Sequence, residues 1–171
     1  MPRIEKWEKQ FVVVLAVLGI VFLSFAAYSV HVWREATRTK VRPADLAKVM
    51  ALTDLAFPNG AQLKRSHFVV TLPRSYLWAE VTIPAQEVEL FRKAVTERAK
   101  IGWSPGYRMS EIAPKWMWKE GIKPPGWWHP ESVRDGTGGS RQIGADDYTE
   151  VMIAQPHGGM GLVYVQRAAD G

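Results

Sequence analysis

The sequence predicts an α+β protein: one N-terminal transmembrane helix, then a small antiparallel sheet with two helices, in the order α-β-β-α-insert-β-β. Three observations carry this. Phe11–Val30 reads FVVVLAVLGIVFLSFAAYSV, twenty residues with no charge, Pro, Asn or Gln. Four short runs rich in β-branched and aromatic residues follow. Two further runs space their apolar residues at helical period.

The apolar run comes first. At about 1.5 Å per residue, some 20 helical residues cross the ~30 Å hydrocarbon core of a bilayer. A cleaved signal peptide has an apolar core of about 7–15 residues. This run is longer, and its preceding tail carries Glu5 and Glu8 as well as Arg3, Lys6 and Lys9. Trp7 and Trp33 flank it, as interfacial anchors do. The expected organisation is a tail at 1–10, a membrane helix at 11–32, a basic juxtamembrane segment at 33–42 and a folded domain at 43–167. Trp7, Trp33, Arg34, Arg38, Lys40 and Arg42 are the expected contacts to lipid headgroups. The Lys and Arg counts on the two flanks do not separate the sides of the membrane. A short tail before the anchor matches a signal-anchor layout, which puts the domain outside the cytoplasm, on the periplasmic side of a bacterial inner membrane. The span holds no ionisable residue, so it offers no proton or ion path of its own.

Beyond the anchor, Pro43–Leu55 predicts an amphipathic helix stopped by Phe57-Pro58-Asn59-Gly60. His67–Leu72 and Tyr76–Ile83 predict two paired strands. In the second, Leu77, Ala79, Val81 and Ile83 alternate with Tyr76, Trp78, Glu80 and Thr82. Pro84 opens a second helix with a Val88, Phe91, Val95 stripe, running to about Lys100. Asp146–Ala154 and Met160–Arg167 predict a last hairpin around the five residues Gln155–Gly159, with Ala168–Gly171 frayed.

Between them, the insert 101–144 breaks the pattern. It holds five of the eight Trp, five Pro and the run Gly136-Thr137-Gly138-Gly139, which predicts a flexible linker. A short helical turn is expected around Ser110–Glu120. Its most distinctive string is Pro124-Pro125-Gly126-Trp127-Trp128-His129-Pro130-Glu131. Pro on both sides narrows the backbone shapes open to the two rings. Such a segment either lids the sheet with both rings in the core or presents them to a partner, a glycan or a peptide. Trp116, Trp118, Trp127 and Trp128 are the expected partner contacts.

Catalytic chemistry finds little footing. The absence of Cys excludes thiol catalysis, disulfides and Cys-ligated metal. No G-x-S-x-G elbow or HExxH pair occurs. Asp146 and Asp147 are neighbours on a strand and face opposite sides. His129, Glu131, His157, Asp146 and Asp147 lack metal-site spacing, so no metal and no cofactor is expected. The net charge is +5, yet Glu131–Gly171 carries three Lys/Arg against six Asp/Glu. A basic stripe next to the membrane fits this better than a nucleic-acid groove.

Pro58-Asn59-Gly60-Ala61-Gln62-Leu63, Trp78–Phe91 (WAEVTIPAQEVELF) and Pro125–Pro130 together resemble bacterial membrane-anchored or lipoprotein domains of unknown function. The resemblance implies a turn, two strands, a helix and a Pro-flanked Trp pair. It implies no activity and no site residue. Without a lipobox Cys, the tether here is the helix. The expected function is a non-catalytic, single-pass accessory or assembly subunit of a larger membrane protein complex. The alternative is a membrane-tethered module binding a periplasmic glycan or peptide.

Overall fold

The computed structural model describes residues 3–71, 74–109, 122–144 and 147–170. The chain divides into two units, Met1–Arg38 and Thr39–Gly171. The first is one helix, α1 (Arg3–Thr37). Within it, the 24 residues Phe11–Arg34 are long and apolar enough to cross a membrane, and none of that apolar surface is buried against other protein. At about 1.5 Å per residue this stretch measures roughly 36 Å. The Ser29 hydroxyl donates to the Phe25 carbonyl at 2.8 Å, which satisfies that polar group inside the helix.

The second unit is built on a seven-stranded antiparallel sheet: β1 (Lys40–Arg42), β2 (Gln62–Val70), β3 (Arg74–Pro84), β4 (Ser104–Pro105), β5 (Thr137–Ile143), β6 (Asp147–His157) and β7 (Met160–Asp170). Their order across the sheet is β1-β2-β3-β7-β6-β5-β4. The central pair, β3 and β7, stays in register from Arg74 opposite Asp170 to Pro84 opposite Met160. Alternation along β3 places Leu77, Ala79, Val81 and Ile83 on one face, as its sequence predicts. There they pack with Val49 of α2 (Leu46–Thr53) and with Val88 and Phe91 of α3 (Val88–Ala94). Phe57 stacks on Phe91 with ring centroids 5.0 Å apart. A wider turn, Val95–Ala99, prolongs α3, and Lys100 closes it at φ 55°.

The opposite face of β3 is buried too. Tyr76 and Trp78 join Tyr148, Met152, Tyr164 and Ala168 under a cover made by Tyr107, Met109 and Trp128 of the 101–144 segment. These parts of the segment are therefore the second cover of a three-layer domain. Helices cover one face of the sheet and an irregular, aromatic layer covers the other.

Several sequence expectations are corrected. Lys40–Arg42, the end of the expected juxtamembrane segment, belongs to the folded domain. It forms an edge strand on β2, pairing with Phe68–Val70. The helix after it starts at Leu46 rather than Pro43, because the Asp45 carboxylate accepts from the Lys48 N–H at 2.7 Å and caps it. The glycine run is not a linker, since Thr137–Ile143 is strand β5 and pairs with β6 along its length. The last hairpin turns on two residues, not five. Gly158 and Gly159 have φ 61° and 80°, the signs that a tight right-twisted hairpin needs. Of the residues expected to fray, Ala168–Asp170 continue strand β7, with Ala168 and Ala169 buried, and Gly171 lies outside the described residues. The helical turn expected around Ser110–Glu120 lies outside the described residues.

Candidate functional site

The register of the sheet assembles the site. On the aromatic face, Ser140, Glu150, Gln166, Trp78 and His67 stand opposite one another in one row across five strands. The next row holds Met152, Tyr164, Glu80 and Arg65. Both rows place polar side chains in the middle of a covered layer.

Glu150 is fully buried. The Tyr107 hydroxyl donates to its Oε1 at 2.8 Å. Burial pushes its carboxyl up to about 8, against the partial relief supplied by the hydroxyls of Tyr107 and Tyr148. Near neutral pH Glu150 is therefore mostly a neutral acid. Burial beside Glu150 raises the Tyr148 phenol to about 12 and the Tyr107 phenol beyond the ordinary range. The second oxygen of Glu150 and the Nε2 of its cross-strand neighbour Gln166 have no hydrogen-bond partner among the described residues.

Gln166, only 2% exposed, also forms part of the wall of a cleft of about 420 Å³. The rest of the cleft comes from the Pro-flanked Trp segment, chiefly Pro125, Gly126, Trp128, His129 and Glu131. This segment braces itself. The Trp128 N–H donates to the Pro125 carbonyl at 2.9 Å, and Ser132 Oγ donates to the His129 carbonyl at 2.7 Å. Trp128 turns inward and meets the Tyr164 ring edge-on at 5.4 Å. Trp127 stays half-buried, edge-on to Trp128, with the Arg65 guanidinium 5.9 Å from its ring centre.

Two titratable side chains, His129 and Glu131, line the cleft, and the Glu80–Arg65 pair lies on the same face of the sheet. His129 Nδ1 and Glu131 Oε1 lie 2.9 Å apart. That bond raises the His129 pKa. The Glu131 carboxyl is held low, mainly by its own backbone N–H and then by His129. Burial raises Glu80, opposed by the Arg65 guanidinium 3.8 Å away. The cleft thus joins proline and Trp128 surface to the uncharged polar side chain of Gln166 and to the hydrogen-bonded His129–Glu131 pair. This suits binding of an uncharged polar group held against a ring.

The predicted site residues divide accordingly. Trp128 lines the cleft but is largely core, whereas Trp127, half-buried, is not part of the cleft lining. Trp116 and Trp118 lie outside the described residues. Trp7 and Trp33 are exposed on α1, and Arg34 and Arg38 are exposed near its end. Lys40 and Arg42 are exposed on β1. Among the described residues no group of three His, Cys, Asp or Glu is placed to hold a metal ion. Asp147 is engaged by Arg167 in a two-pronged pair at 3.0 and 3.2 Å. Sequence reasoning missed Gln166, Glu80, Arg65 and Tyr164. The available signal was that Tyr76 and Trp78 share the supposedly wet face of β3, and such large rings imply a cover.

No family model, curated protein or solved structure matches this chain. The functional reading therefore rests on the geometry.

Proposed function

We propose that this chain is a single-pass, membrane-tethered binding module, non-catalytic, whose folded domain takes a peptide or glycan in the cleft under Trp128. The observation that carries it is the Gln166 side chain: almost fully buried, its Nε2 without a partner among the described residues, and part of the wall of a cleft that the Trp128 ring also lines. A buried amide donor left unmade costs about 1–3 kcal/mol. A ligand amide or hydroxyl that accepts from it recovers that cost, and Trp128 supplies a surface for a sugar or a prolyl ring. A non-catalytic role agrees with Glu150, the one strongly shifted acid among the described residues, being sealed beneath Tyr107 rather than set at the cleft mouth. The helix Phe11–Arg34 supplies the tether, and we place the domain on the periplasmic side of a bacterial inner membrane.

Titrating the full chain in detergent with peptide and glycan series, following Trp fluorescence, tests this. Saturable binding that Gln166→Leu weakens at least tenfold supports it. No response to either ligand class overturns it.

An accessory or assembly subunit of a larger membrane complex is the second reading. Trp127, half-buried beside Arg65 at the surface, favours it. It ranks lower because, among the described residues, the large apolar side chains exposed outside α1 are Val41, Leu90 and Ile143, on three separate elements rather than one patch. Recovery of the protein from mild detergent only as a lone monomer counts against it.

A further inference from the structure

The edge of the sheet at β1 and β2 gathers positive charge that the sequence scatters over 26 positions. Residues 40–70 carry Lys40 and Arg42 on β1, Lys48 on α2, and Lys64 and Arg65 on β2. Pairing of β1 with β2 and packing of α2 on the same edge bring these elements together: Arg42 stands opposite Phe68, and Lys48 Nζ lies 5.9 Å from the centre of the Phe68 ring. The only acids in the stretch are Asp45 and Asp54. Asp45 is used as the helix cap and Asp54 faces Arg141 at 3.8 Å. Arg65 is directed to Glu80, which leaves Lys40, Arg42, Lys48 and Lys64, all exposed, as a surplus of four cations.

Chain length limits how far Lys40, at the start of this edge, can be from Arg34, where the membrane-length stretch ends. Only Arg38 and Thr39 separate Thr37 from Lys40. Three helical residues and three extended ones after Arg34 reach at most about 15 Å. The headgroup layer takes up about 5–7 Å of this, and the remainder is about one screening length at physiological salt. The edge also has room for a surface. β1 covers β2 only from Phe68 to Val70, and the strand edge at Gln62–Arg65 carries a bulge and two cations instead of another strand.

We propose that the β1–β2 edge of the folded domain, through Lys40, Arg42, Lys48 and Lys64, is a docking face for anionic lipid headgroups. This rests on the reading of α1 as a membrane span. The face holds the domain against the bilayer it is tethered to. Each basic residue near an anionic surface strengthens partitioning about fivefold.

The test uses the full chain in nanodiscs of phosphatidylcholine alone or mixed with phosphatidylglycerol, read by hydrogen–deuterium exchange. Slower exchange at Lys40–Arg42 and Gln62–Arg65 is expected in the anionic discs only, and is expected to disappear at high salt. The combined K40Q, R42Q, K48Q and K64Q variant loses the protection, whereas K93Q with R98Q on the far helix keeps it. Equal exchange in both discs, with the chain inserted, overturns the docking face and leaves the tether standing. Failure to enter either disc overturns the tether and the docking face with it. Protection that rises with protein concentration in both lipids assigns the edge to a second copy and also overturns the proposal.

Discussion

The Tyr107 hydroxyl donates to Glu150 across 43 residues of sequence, at 2.8 Å, with both side chains buried. This bond ties the irregular layer to the middle of the sheet. It is also the point where stability and pH meet. The folded-state pKa of Glu150, about 8, lies above the unfolded value near 4.5, so the folded protein binds the extra proton between them. The contribution of this group is full below about 4.5, is lost progressively as pH rises through 8, and is constant above that. Urea unfolding of the wild type is expected to show stability falling by several kcal/mol across that window. Glu150→Gln is expected to flatten the slope. A slope of equal size in the variant would assign it to other groups.

Removing the donor gives a separate reading. Tyr107→Phe leaves Glu150 with one less hydrogen bond and is expected to cost about 1–3 kcal/mol. Because the lost bond favours the charged form, the upper end of the pH window moves higher still. Denaturation at pH 6 and pH 9 measures both effects.

Gly139 tests whether the 101–144 segment is a packed layer. A Cβ there would collide with the backbone carbonyl of Gly102, and one at Gly138 would press on Tyr107 and the Val151 carbonyl. Gly139→Ala is expected to destabilise by more than 3 kcal/mol, since backbone on backbone leaves no side chain to swing away. A linker glycine would tolerate the change, and thermal melting distinguishes the two.

The neighbouring tryptophans are expected to behave differently. Trp128→Ala removes a buried ring from Tyr164 and is expected to cost about 3–5 kcal/mol. Trp127→Ala is expected to cost under about 2 kcal/mol, because that ring is only half-buried. Similar losses at both positions would place Trp127 in the core as well.

Arg167 and Asp147 form a partly buried, two-pronged pair between β6 and β7. Asp147→Asn is expected to cost about 1 kcal/mol, reduced in high salt. An unchanged melting temperature at low salt would show the pair to be neutral.

Much of the architecture is legible in local pattern. The uncharged run Phe11–Val30 can only be a long apolar helix, because nothing in it breaks the helix or wets it. Period two in Tyr76–Ile83 sorts side chains to opposite faces whatever the neighbours are, and the pairing of β3 with β2 and β7 honours it. Glycines at 158 and 159 make a turn because only positive φ closes so short a hairpin. What alternation cannot say is whether the second face is wet. Trp78, Glu80, Gln166 and Glu150 read as outward residues until a layer from a distant part of the chain covers them.

That cover is where local reasoning ends. Thr137–Ile143 looks like a linker from its glycines, and is a strand because Gly138 and Gly139 let the backbone at Gly102 and the Tyr107 ring approach closely. Lys40–Arg42 looks like a helix flank, and is a strand because β2 offers it an edge. Local pattern alone gives the long apolar helix, the central strands and the two domain helices, since each is set by composition or periodicity within a few residues. The buried acid, the cleft over Gln166 and the basic edge come from the folded arrangement. Each of these is made by cross-strand register or by contact between segments tens of residues apart, and no local pattern encodes such distances.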